Sequence, residues 1–150
     1  MTSPQEMVLV YKTHPALHQV SKEVPKGTDC IFLFTALYDK LHRHQGVGIA
    51  APQLGILSRV IIIAADSEGT PIGLINPVIT RRYGSRVKGI EECLSYPGVQ
   101  KSMTRYKRVK IEGYTHDWQL VRFKLRGLAA RIAQHEVDHL NGITITGGRV

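Results

Sequence analysis

Cysteine is scarce in this chain: Cys30 and Cys93 are the only two in 150 residues, too few for a disulfide framework. In a reducing compartment they read as one functional thiol and one core thiol. No apolar run approaches the roughly 20 residues that span a bilayer. The start, "MTSPQEMVLVYK", lacks a basic stretch followed by an apolar one, so no signal peptide is expected. A cytoplasmic protein without a membrane partner follows as the expectation. Repeats and low-complexity linkers are missing as well. Acidic residues are outnumbered, with 12 Asp and Glu against 20 Lys and Arg, a net charge of +8. That excess suits polyanions such as nucleic acid or the ribosome. The plainer reading is a solvated surface, because the cations are spread over "TRRYGSRVK" and "KSMTRYKRVK" with no specific nucleic-acid motif attached.

What is present is ordinary for a globular protein: 43% hydrophobic and 21% charged residues. The length predicts a single domain over 1–150. "TDCIFLFTALYDKLHRH" (28–44) reads as a first helix, capped by Thr28 or Asp29. Its apolar stripe is Cys30, Leu33, Phe34, Leu37 and Leu41, which makes Cys30 a core residue. His42 and His44 close it, where a cation suits the dipole. "RVIIIAAD" (59–66) is strongly β-prone. "PIGLINPVITRRYGSRVKGIEE" reads as further strands, with Tyr83-Gly84-Ser85 as a turn. "RYKRVKIEGYTHDWQLVRFKLRG" reads as a hairpin looping at Thr115-His116-Asp117. A last helix starts near Leu128 and stops at Asn141-Gly142. The predicted class is α+β: short antiparallel sheets packed around a C-terminal helix, with an N-terminal helix.

Chemistry concentrates in "QHEVDHLNG" (134–142). His135, Glu136 and His139 read H-E-x-x-H, which on a helix puts two imidazoles on one face. His135 and His139 can share one metal ion, and Glu136 can reach its water as general base, then acid. Only eleven residues follow His139, and none is His, Cys, Asp or Glu. A metalloprotease with a downstream third ligand is therefore excluded. Upstream candidates are Cys30, Cys93, His14, His18, His42, His44, His116 and several carboxylates. Cys30 has its core role. Cys93, in "IEECLSYPG", precedes a Ser-Tyr-Pro-Gly turn at a strand end and would face the helix if that strand packs on it. Cys-His-His leaves a fourth position open, as catalytic sites require, and suits Zn²⁺ or Fe²⁺. "GVGIAAPQLG" (46–55) brings small residues for close backbone approach, and Gln53 can donate to a developing oxyanion. It is no phosphate loop, for it has no G-K-[ST] and the wrong glycine spacing.

Three segments in order, "GVGIAAPQ" (46–53), "ECLS" (92–95) and "HEVDH" (135–139), together resemble the peptide deformylase family, and "LINP" (74–77) and "YPG" add to the likeness. The resemblance covers essentially the whole chain. It implies a metalloenzyme that removes the N-formyl group from the initiator Met of nascent polypeptides. By position, it implies that Cys93, His135 and His139 hold one divalent ion, physiologically Fe²⁺, with Zn²⁺, Ni²⁺ or Co²⁺ as substitutes. Glu136 would shuttle the proton. Gln53 and the Leu94 N–H would bind the formyl oxygen, and Val47 and Gly48 would pair with the peptide as a strand. Leu128 and Ile132 would wall the methionine pocket.

The chain departs from the family at three places. Glu92 stands where the family has glycine, and it is strained if φ must be positive there, unless the strand is shifted. Arg131 stands one turn before His135, where an apolar residue is usual. It would rim the pocket, reach a peptide carboxylate, or pack its stem and leave its head in solvent. The chain also stops soon after the second helix, without the C-terminal helix used for ribosome docking, as in short, bacteriophage-encoded members. A monomer is expected, with ribosome contact through the basic surface. Alternatives are an idle relative that binds ribosomal RNA, and an amidohydrolase whose preference Arg131 alters. Glu136 argues against an idle relative, which would have little use for it.

Overall fold

The computed structural model describes residues 2–64 and 70–146, so the end of "RVIIIAAD" and Arg149 lie outside the described residues. Its sheet is an antiparallel meander of five strands in sequence order: β1 Gly48–Ala50, β2 Val60–Ile63, β3 Ile72–Cys93, β4 Tyr96–Tyr114 and β5 Leu120–Arg126. Helix α1 is Ile31–Arg43 and helix α2 is Gly127–Leu140. The α+β class expected from the sequence holds, with one sheet serving where several short ones were expected.

The run of isoleucines in β2 has a direct physical cause. Val60 and Ile62 pack into the cluster that contains Phe34, Leu37 and Leu41 of α1. Ile61 and Ile63 point the other way, into the cluster with Ala130, Ile132, Ala133 and Val137 of α2. Successive side chains alternate across a strand, so a strand covered on both faces must be apolar at every position. All four residues are buried. Burying each such side chain stabilises the fold by about 1.5–3 kcal/mol relative to exposure.

Strand β3 corrects the sequence reading. Tyr83-Gly84-Ser85 does not turn the chain; β3 runs straight through it, with a register shift between Tyr83↔Arg108 and Arg86↔Tyr106. Gly84 takes φ +78, so glycine at this spot serves a bulge instead of a hairpin. The chain reverses later, at Leu94 and Ser95, where Cys93 faces Tyr96. Cys93 thus does end a strand, while most of the expected Ser-Tyr-Pro-Gly turn belongs to β4. Between β4 and β5 the loop lies at Thr115–Gln119, closed by the Thr115 N–H to the Gln119 carbonyl at 3.0 Å.

Both helices sit close to their expected bounds. α1 starts at Ile31, whose N–H bonds the Asp29 carboxylate at 3.0 Å, while the Thr28 hydroxyl donates to Pro25 instead. Cys30 is buried in the α1 cluster, as its place on the stripe predicts. α2 ends with the Gly142 N–H on the His139 carbonyl and the Ile143 N–H on the Asp138 carbonyl. These are the paired bonds of a helix stop that needs a left-handed residue. Gly142 supplies φ +74, and a Cβ there would lie 2.9 Å from the His18 carbonyl carbon. The Arg59 guanidinium adds bonds to the Leu140 carbonyl and the Asn141 side chain, both at 3.0 Å. The last turn of the helix that carries the H-E-x-x-H residues is therefore pinned from two sides.

Candidate metal centre

α2 packs against β1, β2 and β4, and this buries His135, Glu136 and His139. The i, i+4 spacing stacks the two imidazoles edge to face, with centroids 5.0 Å apart. The β3–β4 hairpin brings Cys93 to them, with Sγ 3.3 Å from His139 Nε2. The sulfur and one nitrogen of each ring lie within 4.8 Å of one another. Among the described residues, no other three His, Cys, Asp or Glu side chains gather in this way. Metal–sulfur and metal–nitrogen bonds of about 2.3 and 2.0–2.1 Å at a tetrahedral angle would set S and N roughly 3.6 Å apart. The 3.3 Å seen here is close to that, so the donor set fits a divalent ion, and three donors leave one position open.

The other sequence candidates do not join. Cys30 lies in the core, where burial raises its thiol pKa, with Asp29 adding to the rise. His14 accepts from the Ala16 N–H, and His18 Nε2 donates to the Lys12 carbonyl. His42 and His44 close α1, and His116 is exposed in the β4–β5 loop.

Glu136 is buried, and its Oε1 has no hydrogen-bond partner among the described residues. Burial pushes its carboxyl up to about 7, although the charge of His135 opposes the shift. An acid with that pKa can both take and return a proton near neutrality. Its Oε2 approaches β1 so closely that a Cβ on Gly48 would sit 2.5 Å from it and 2.6 Å from Ile132 Cγ2. This is why the position is glycine. Gln53, 1% exposed, donates to Cys93 Sγ at 3.6 Å and to Ser95 Oγ at 3.3 Å, while its carbonyl accepts from the Ala50 N–H.

Sequence reasoning missed the group behind the histidines. Glu91, two residues before Cys93 and therefore on the same strand face, is buried and contacts His135 Nδ1 at 2.9 Å. This leaves Nε2 of His135 to face the cluster, the usual way a carboxylate fixes a ligating imidazole. Arg105 clamps Glu91 with both a Nη2 and a Nε contact at 2.9 Å and reaches Asp138 of α2 with Nη1. Burial works against the charge of Glu91, but the His135 and Arg105 bonds prevail and hold it well below the usual carboxylate range. Burial likewise opposes the charge of His135, yet Glu136, Cys93 and Glu91 push it up to about 10. Burial drives His139 well below its ordinary value, with the His135 and Arg105 cations adding to the fall. One ring is thus ready to bind, and the other exchanges a proton for an ion.

A cavity of about 580 Å³ opens onto the cluster. Val47, Gly48, Gln53, Leu94, Leu128, Arg131 and Ile132 all line it, along with Cys93, His135 and Glu136; His139 closes the site from behind. Val47, Ile90 and Leu128 stand exposed at its mouth. Two places where the chain departs from the family lie beside this cavity. Glu92 does not take a positive φ; the irregularity falls on β4, where Gly98 has φ +78, and the Glu92 carboxylate accepts from Gln100 in solvent. Arg131 lines the cavity with its side chain 14% exposed, but its head is held by the protein. Its guanidinium donates to Glu91 at 2.7 Å, to the Met103 carbonyl at 3.0 Å and to the Val87 carbonyl at 2.7 Å. A Cβ on Gly89 would lie 2.8 Å from its Cζ, so glycine on β3 makes the room it occupies.

Comparison with known proteins agrees with this geometry. The family model described as polypeptide deformylase matches residues 6–148. A peptide deformylase of Desulforudis audaxviator is 41% identical over 136 residues, 90% of this chain and 88% of that protein. Peptide deformylase 1 of Bacillus subtilis is 37% identical over 140 residues, 89% of this chain and 85% of that one. Among solved structures, the deformylase of the Vibrio parahaemolyticus bacteriophage VP16T, in complex with actinonin, superposes with TM-score 0.88 at 38% identity, covering 93% of this chain and 100% of its own. A Met-Ala-Ser-bound class I type b peptide deformylase from Acinetobacter baumannii gives 0.88 at 31% identity, covering 93% and 97%.

Proposed function

The chain belongs to the polypeptide deformylase family, and from that membership we propose that it hydrolyses the formamide of formyl-methionyl peptides, releasing formate and a free amino terminus. It is a metal-dependent hydrolase. The observation that supports this most is the buried Cys-His-His donor set beside the Glu136 carboxylate, whose Oε1 has no hydrogen-bond partner among the described residues, at the head of a cavity open to solvent.

In this proposal Cys93, His135 and His139 hold the ion, Fe²⁺ physiologically, with Zn²⁺, Ni²⁺ or Co²⁺ able to replace it. When bound, the ion acidifies a water and polarises the formyl carbonyl. Glu136 takes the proton from the attacking water. As the C–N bond breaks, Glu136 gives that proton to the leaving amine nitrogen, and its raised pKa suits both transfers. The Gln53 carboxamide and the Leu94 N–H donate to the oxygen on which charge develops. Val47, just before the short edge strand β1, and Gly48, its first residue, pair with the peptide backbone as an added strand. Leu128, Ile132 and the stem of Arg131 enclose the first side chain. Residues 1–150 act as one catalytic domain, monomeric and cytoplasmic, on chains leaving the ribosome. Formate release from a formyl-Met peptide, after anaerobic purification and metal analysis, tests this reading. Turnover well above a Glu136→Ala control is expected, and none from metal-loaded protein would overturn it.

A further inference from the structure

We propose that the sheet face turned away from α2 is a docking surface for the phosphate backbone of a structured RNA. Strand register defines this face. Arg81, Lys110 and Lys124 stand directly opposite one another across β3, β4 and β5. One step along, the row is Tyr83, Arg108 and Arg126, and the next pair is Arg86 with Tyr106. Residues two apart share a face, so these rows lie on one surface, with neighbouring strands about 4.8 Å apart. Val109 and Ile111, between them, point into the α2 cluster. Helix α1 covers the same side only at its other end, where Ile75 and Tyr114 join the α1 cluster.

Like charges directly opposite destabilise a sheet. Here two rows carry them, and among the described residues the one salt bridge on this face joins Arg122 to Glu112. A polyanion laid across the rows would offset that repulsion. The chemistry selects nucleic acid over an anionic membrane. Five of the seven cations named are arginines, whose planar fork matches phosphate. Arg81 and Arg86 lie over the rings of Tyr83 and Tyr106, at 4.7 and 5.7 Å, a flat stacking platform. No large apolar side chain stands in these rows to insert into lipid. RNA, as opposed to DNA, rests on the proposed function, whose substrate emerges from the ribosome. Because the face lies across the sheet from α2, docking leaves the cavity mouth free.

Fluorescence anisotropy with a labelled RNA hairpin, a duplex DNA of the same sequence and anionic vesicles tests this, using the full chain. The expected result is RNA binding that weakens steeply with salt, and a loss of about ten-fold or more in affinity for Lys110→Glu against less than about two-fold for Lys22→Glu outside the face. Lys110→Glu places an acid between Arg81 and Lys124, so it should melt no lower than wild type, which separates lost docking from misfolding. Arg108→Glu should behave alike. Formate release from a short formyl peptide should be the same in every variant; its absence would instead contradict the deformylase reading. No RNA binding by wild type, equal loss in Lys110→Glu and Lys22→Glu, or binding of vesicles or DNA in preference to RNA overturns the proposal.

Discussion

At the scale of single residues, close approaches explain more than residue type. Gly48 exists as glycine because Glu136 and Ile132 occupy the space of its missing side chain. Gly48→Ala should displace the Glu136 carboxylate and lower kcat/KM by about a hundred-fold, the cost of a 1 Å misplacement. Metal content should stay unchanged, and steady-state kinetics with metal analysis on the same sample would check both. Arg131 is spoken for by Glu91 and two carbonyls. Arg131→Leu should therefore leave the preference for formyl-Met over formyl-Glu peptides unaltered and cost about 1–3 kcal/mol of stability, the value of lost charge-assisted bonds. A changed preference without destabilisation would show the guanidinium acting on substrate. Cys93→Ser should lose the metal and Cys30→Ala should keep it.

At the scale of elements, the parts legible in the sequence were those with local rules. H-E-x-x-H needs only helical spacing, and "CIFLFTALYDKL" shows its apolar face directly. The Asn141-Gly142 stop was readable because a left-handed residue after a helix has few substitutes. Gly142→Ala should accordingly lower the melting temperature by an amount equivalent to about 1–3 kcal/mol. The reason is that φ is +74 there and the His18 and Gln19 backbones block a Cβ. A melting temperature equal to wild type would contradict that reading of the stop. The continuity of β3 was not legible, because Tyr83-Gly84-Ser85 satisfies a turn and a bulge equally well. Glu91 was missed for another reason: its meaning depends on Arg105, Arg131 and His135, which lie 14, 40 and 44 positions away. Nothing local distinguishes it from its neighbour Glu92, which faces solvent.

At the scale of the whole molecule, a buried set of charges is assembled around an ion site, and folding is linked to pH through it. In metal-free protein the Glu136 carboxyl is raised from 4.5 to about 7. Its contribution is therefore complete below pH 4.5 and lost as pH rises through about 7. Glu91, held low, works in reverse: its contribution is present above 4.5 and lost on acidification. Urea midpoints measured with chelator should fall from about pH 5 to pH 7.5, and Glu136→Gln should flatten that fall. An unchanged slope would mean that Glu136 is not the group responsible. Most direct for the central claim is kcat/KM for formate release by Glu136→Gln, at a metal content matched to wild type. Loss of a positioned acid–base predicts a fall of about 10²–10⁴-fold with the ion still bound. A rate equal to wild type would contradict the account.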